Sequence, residues 1–311
     1  MSIPGSPALI LGASGFLGEA FARHLQAAGE PAACLIHRSP LPAEIRPVRL
    51  YHGSLLTFPW RILEADPPRA IIHFARLSAP SAAGRRLAAL ASTMANRRLL
   101  AWLERLAQPP RLVLIAGTLA YGPSADEEIY EDHALHPAGF AREYARGEAP
   151  ILAAMATGRL PVQVMRPAWV YGARSWLRGF FFTPMLRQGH VPLYGEGDNR
   201  MALIHVEDAA ALIDFLSREA PAGESYNLLC GAPLRQAELA ETLSRISGLP
   251  IKRITRRDFP SRDRGVWESL TFSQRTASRH AGLYQRHGFR HPDAGAALAS
   301  LWRSFLNTPS A

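Results

Sequence analysis

The chain has 311 residues, 48% of them hydrophobic and 20% charged, enough to bury a large core in one two-lobed unit or two domains. Its formal net charge of +9 brings nucleic acid into consideration, but the arginines are scattered along the whole length without a basic run or a nucleic-acid motif, so no nucleic-acid partner is expected. Two cysteines, Cys34 and Cys230, argue against a disulfide framework and against a zinc site, and no metal is expected; with no charged leader before the first apolar run and no membrane-length apolar stretch, a cytoplasmic protein without membrane contact is expected.

Ala8-Leu9-Ile10-Leu11 reads as a buried strand, and Gly12, Gly15 and Gly18 follow it at spacing three. Glu19 to Leu25 then reads as a helix with Phe21 and Leu25 on one face. A strand, glycine turn and helix in this order suits a diphosphate, because backbone amides must approach it closely and the helix N-terminus adds partial positive charge. Ala32 to Ile36 is a second strand, ending at His37-Arg38-Ser39 with no carboxylate. A carboxylate there would hold ribose hydroxyls and a cation would hold a 2′-phosphate, so Arg38 points to NADP(H), with NAD(H) the less favoured cofactor.

Val48 to Leu55 is the third strand and Ala70 to Ala75 a fourth, continuous apolar run of the kind buried on both faces of a parallel sheet. An arginine- and alanine-rich helix spans about 84–106 and stops before Pro109-Pro110. Arg111 to Ala116 is the fifth strand and leads into Gly117-Thr118-Leu119-Ala120-Tyr121-Gly122. The acidic stretch from Asp126 to Glu131 is expected to be a solvated loop at the rim of the site. A helix over about 140–156 precedes the sixth strand, Leu160 to Met165, which runs into Arg166-Pro167-Ala168-Trp169-Val170-Tyr171-Gly172. Residues 173–200 read as irregular and aromatic-rich, the phenylalanines mostly packing a small second core. Gly195-Glu196-Gly197 and His205-Val206-Glu207-Asp208-Ala209 follow, then a helix over 235–248 and a strand over 251–254.

These motifs together resemble the short-chain dehydrogenase/reductase superfamily, in its extended branch of nucleotide-sugar epimerases, dehydratases and reductases. The resemblance implies an α/β fold, a Rossmann-type doubly wound parallel sheet with a smaller C-terminal substrate lobe. Residues 1–172, with 201–232 returning to them, would form the cofactor domain; 173–200 and 233–311 would form the lobe. It further implies cofactor contacts from Gly12, Ser14, Gly15, Phe16, Leu17, Arg38, Ser54, Leu55, Phe74, Ala75, Arg76, Pro167 and Ala168. Ser54 stands where the family carries an adenine-binding aspartate. Trp169, Trp176, Arg178 and Arg200 would surround a small-molecule substrate, with Arg200 one position off the commonest spacing for a diphosphate clamp. A homodimer is expected from the same resemblance.

The family's chemistry uses Ser/Thr, Tyr and Lys, the last two spaced four apart on one helix face, where the ammonium favours the tyrosinate. Of the 35 basic residues here only Lys252 is a lysine, and it lies in the C-terminal part, so this dyad is absent. Two registers stay open over Phe140 to Glu148: in one, Phe140 and Tyr144 take the places of the family tyrosine and lysine; in the other, Tyr144 and Glu148 do. Gly117 stands at the usual Ser/Thr position, with Thr118 beside it. Tyr144, Thr118 and Glu148 are the catalytic candidates. Without an ammonium beside it, a tyrosine hydroxyl can donate a hydrogen bond but is a poor base near neutral pH. Three readings follow: an atypical NADP(H)-linked enzyme acting on an anionic or carrier-bound metabolite; a non-catalytic dinucleotide sensor or assembly protein; and a non-redox isomerase, lyase or cyclase.

Overall fold

The computed structural model describes residues 6–307 apart from 78, 80, 81, 125 and 262. In chain order its elements are β1 (Ala8–Leu11), α1 (Phe16–Ala27), β2 (Ala32–Ile36), β3 (Arg49–His52), β4 (Ala70–His73), α2 (Ala82–Leu103), β5 (Arg111–Ile115), β6 (Glu128–Ile129), α3 (Ala141–Thr157), β7 (Val162–Pro167) and β8 (Trp169–Tyr171). They continue with α4 (Thr183–Gln188), β9 (Val191–Tyr194), β10 (Arg200–Met201), β11 (Leu203–His205), α5 (Val206–Glu219), β12 (Ser225–Leu228) and β13 (Leu234–Arg235). The last are α6 (Gln236–Ser247), β14 (Ile251–Ile254), α7 (Arg264–Thr271), β15 (Arg275–Thr276), α8 (Ala281–His287) and α9 (Ala294–Leu306).

A seven-stranded sheet runs in the order β12-β7-β5-β4-β1-β2-β3. β1 pairs in parallel with β2 on one side and β4 on the other, Leu11 lying opposite Leu35 and His73. Every residue of β1, β2 and β4 is buried, which is why these strands are unbroken apolar runs rather than alternating ones. The strand order reverses between β1 and β4, leaving a crevice beyond their C-terminal ends where open α/β sheets take their ligands. Among the described residues no helix is long and apolar enough to cross a membrane.

Two compact units divide the chain. The first holds residues 6–117, 141–166 and 210–226; the second holds 118–140, 167–209 and 227–307. Residues 118–140, 167–172, 201–209 and 227–232, which the sequence division assigns to the cofactor domain, lie with the second unit. The first unit's core includes Leu9, Leu11, Ile71, Leu99, Leu112 and Val164, drawn from strands and from α2. Each such side chain contributes about 1.5–3 kcal/mol by leaving water.

The second unit has its own core around Tyr171, Phe181, Phe182, Val191, Leu243 and Trp302. Residues 173–200 are more regular than their sequence indicates: a π-helical turn over Arg178–Phe182, α4 and β9 occupy most of the stretch. The aromatic run supplies the reason, since burying Phe181 and Phe182 ties the backbone down and forces its polar groups into helical bonding. The acidic stretch keeps Asp126, Glu127 and Glu128 exposed, as expected of a solvated segment, but it is not a plain loop. β6 pairs with β15, Glu131 accepts from the backbone amides of Asn227 and Arg279, and Asp132 takes a forked pair of bonds from Arg279, so this segment is a structural seam of the second unit.

Candidate functional site

Gly12 ends β1 with φ +82°, a conformation open to glycine, and a Cβ there would stand 2.8 Å from the Ala75 Cα at the end of β4. The Gly15 amide donates to the Gly12 carbonyl at 3.0 Å and Gly15 caps α1 without a side-chain acceptor. The first-turn amides of α1 are thereby left for an external anion, in the crevice where the strand order reverses. Ser14, Phe16 and Leu17 are half-buried around this turn, Gly15 is exposed, and Phe74 packs on Phe21 with ring centroids 5.4 Å apart. The chain therefore fits a dinucleotide diphosphate at this turn. Arg38 is exposed just beyond β2, and Ser54 spends its hydroxyl on the Leu56 amide at 3.2 Å while Leu55 is buried beside it.

A second group of residues lies in the same unit, in a narrow cleft lined by β4, α2 and α3. Tyr144 and Glu148 both line it, as their four-residue spacing on α3 dictates. Glu148 is buried between two guanidinium groups: its carboxylate lies 3.5 Å from Arg166, 2% exposed on β7, and 3.8 Å from Arg76 just past β4. Arg166 also reaches the Gly117 carbonyl at 3.4 Å, and Arg76 donates to the Ala116 carbonyl at 2.5 Å. The Arg76 guanidinium carbon stands 5.0 Å from the centroid of the Tyr144 ring, within cation–π range. Position 76 thus places a cation next to the tyrosine on a helix that has no lysine.

Behind this cleft, His73 Nε2 and Asn96 Oδ1 are 2.9 Å apart, and the Asn96 amide donates to the Gly147 carbonyl at 2.7 Å. Burial, with a smaller push from the Arg76 charge, drives the His73 imidazole below its ordinary value, so it is neutral at pH 7. A Cβ on Gly147 would stand 2.8 Å from the Ser92 Cβ, so glycine here lets α2 and α3 approach closely.

The remaining candidates lie in the second unit. Thr118 is buried in a 3₁₀ turn, its carbonyl accepting from Gln274 at 2.8 Å, and Tyr121 donates to Asn227 at 2.9 Å. Pro167 and Ala168 are buried at the end of β7 and just after it. Trp169 and Trp176 pack edge to face at 4.9 Å, and the Trp176 indole donates to the Val170 carbonyl, which makes both part of the aromatic core wall. Exposed Arg178 stacks over Phe305 at 5.2 Å, whereas Arg200 reaches the Pro233 carbonyl at 3.4 Å.

Two roles escaped the sequence reading. Arg76 was expected only as a cofactor-wall residue, and Arg166 only as part of a motif. A charged residue inside the apolar run of β7 must find a buried carboxylate, and that requirement was the signal pointing to Glu148.

Over 142 residues the chain is 32% identical to a dTDP-glucose 4,6-dehydratase of Streptomyces niveus, a match covering 44% of this chain and 42% of that protein. It is 33% identical over 132 residues to the enzyme of the same name from Streptomyces griseus, so the match spans about two fifths of the length of these relatives. Solved structures match over almost the whole chain. A dTDP-glucose 4,6-dehydratase of Streptomyces venezuelae with NAD bound superposes with TM-score 0.76 at 22% identity, covering 96% of this chain and 97% of that one. A UDP-glucose 4-epimerase of Thermotoga maritima gives 0.77 at 18%, covering 97% and 100%. At these identities the likeness shows a shared fold. Residues 8–228, from the first strand of the sheet to its last, fit the family model as well, and with the glycine turn at the strand-order reversal they place the chain in the NAD dependent epimerase/dehydratase family.

Proposed function

We propose that this chain is an NADP(H)-binding enzyme acting on a small anionic metabolite of the nucleotide-sugar class, through a site in which Arg76 stands in for the family lysine. The observation that carries this reading is the uncapped glycine turn, with Gly12 pressed against Ala75, in the same unit as the cleft of Tyr144, Arg76 and Glu148. The relatives named above are called dehydratases and an epimerase of nucleotide-linked glucose, which supports the substrate class. NAD is the cofactor in the Streptomyces venezuelae structure, while the exposed Arg38 and the lack of a carboxylate between His37 and Ser39 support NADP(H) here.

When bound, the nicotinamide supplies hydride-transfer chemistry. The chain's own groups do the rest. The backbone amides of Ser14, Phe16 and Leu17 would hold the diphosphate while Gly12 and Gly15, whose own amides are donated to the Leu35 and Gly12 carbonyls, leave room for its approach; Arg38 would meet the 2′-phosphate, and Ser54 and Leu55 would face the adenine side. Phe74 and Ala75 would wall the nicotinamide end, and Pro167 and Ala168, in the second unit, are carried as cofactor-contact candidates. Tyr144 donates its hydroxyl proton to a substrate oxygen and Arg76 favours negative charge there, with Glu148 and Arg166 fixing the guanidinium in place. In the second unit, Thr118, Trp169, Trp176, Arg178 and Arg200 are carried as substrate-contact candidates.

Titration of the protein with NADPH and NADH, followed by fluorescence, tests the cofactor half. NADPH should bind more tightly, Arg38→Ala should erase the preference, and Gly12→Val should abolish both; binding of neither dinucleotide overturns the reading, and tighter NADH overturns the role of Arg38. For the catalytic half, Tyr144→Phe should lower turnover on a nucleotide-sugar panel by about 10²-fold. The close mutual engagement of Arg76, Tyr144, Glu148 and Arg166 favours one rival, a protein that binds dinucleotide without turning anything over. Tight binding with no reaction across that panel would establish the rival; product without net NADPH consumption would establish an isomerase, lyase or cyclase. We also infer a homodimer, supported by the exposed Leu87, Leu90 and Met94 on α2.

A further inference from the structure

We propose that His205, Glu207 and His291, in the second unit, bind one divalent transition-metal ion of the zinc class. One donor atom from each residue lies within 4.8 Å of the other two, and His291 Nε2 is already 3.0 Å from a Glu207 carboxylate oxygen. The two imidazole centroids are 3.8 Å apart. Two nitrogens and a carboxylate oxygen form a donor set suited to zinc, cobalt or nickel, which seat such ligands at about 2.0–2.2 Å.

The scaffold holds two of the three ligands still. His205 closes β11, is buried, packs edge to face against Tyr171 at 5.2 Å, and accepts the Glu207 amide on Nδ1 at 3.4 Å. The backbone at 290 and 291 is pinned by Asp208, a buried carboxylate that takes the Arg290 amide on one oxygen at 2.7 Å and the His291 amide on the other at 3.1 Å. Glu207 is half exposed and can rotate to close the set, leaving an open coordination position toward solvent. Arg290, 78% exposed, competes for the same Glu207 oxygen at 3.2 Å and is free to swing into water. His205 and His291 are far apart in sequence, so no local spacing announces this group.

The test uses the full-length, tag-free chain stripped with chelator, titrated with Zn(II) by calorimetry and with Co(II) by visible absorption. One saturable equivalent of each is expected, with Co(II) bands showing nitrogen ligation. His291→Ala and Glu207→Gln should each weaken binding by at least about tenfold, and Arg290→Ala should leave it equal or tighter. Circular dichroism on each variant separates ligand loss from misfolding, and the exposed Glu207→Gln serves if His291→Ala does not fold. No saturable binding, binding unchanged in both ligand variants, or equal competition by Mg(II) would overturn the assignment.

Discussion

Glu148 shows how much one side chain decides at this site. It is a carboxylate buried against Arg166, itself 2% exposed, and removing it takes a counter-charge from a desolvated guanidinium. Glu148→Ala should therefore destabilise the protein by about 3 kcal/mol in denaturant unfolding, with Glu148→Gln intermediate because an amide keeps one acceptor. Equal stability of Glu148→Ala and the parent would show that the ion pair holds nothing together. The same residue marks a limit of reading residues by spacing. Helical periodicity puts Tyr144 and Glu148 on one face, and that much was legible; the cation over Tyr144 comes from position 76, after β4, and no pattern along α3 indicates it.

Among the elements, α2 carries the clearest unfinished business. Leu87, Leu90 and Met94 are 68%, 62% and 57% exposed, at spacings of three and four that gather them on one face. A second copy of the same helix is a natural cover for such a stripe. Leu87→Glu with Leu90→Glu should convert a dimer to a monomer in sedimentation or light scattering, with the far-ultraviolet spectrum unchanged. A monomeric parent would remove the proposal. The arginine- and alanine-rich composition of α2 announced a long helix, but which face stays bare depends on where α3 and the 3₁₀ turn over Trp60–Leu63 pack.

At the scale of the whole molecule, two buried histidines couple folding to pH. Burial lowers His73 and His205 below the ordinary imidazole value, with Arg76 adding to the first and His291 to the second. Between the lowered folded value and about 6.5, the unfolded chain binds protons that the folded chain refuses, so stability is complete above that range and falls as pH drops through it. Each histidine contributes a slope of up to about 1.4 kcal/mol per pH unit. Unfolding curves at pH 7, 6 and 5 should show this loss, and His73→Gln, whose amide nitrogen can still reach Asn96, should reduce it; identical slopes in both proteins would exclude His73 as a source.

By itself the sequence determined the α/β class, the order of the principal strands and helices, the glycine turn and the absence of the lysine dyad. These rest on local causes: apolar periodicity, glycine's access to positive φ, and which residue types are present at all. Only the tertiary structure decided that Arg76 and Arg166 enclose Glu148, that the acidic stretch is a seam to β15, that residues 173–200 carry a π-helical turn, a short helix and a strand, and that His205 meets His291. Each of these joins positions far apart in the chain or answers to burial in a shared core, and such pairings leave no mark in local spacing.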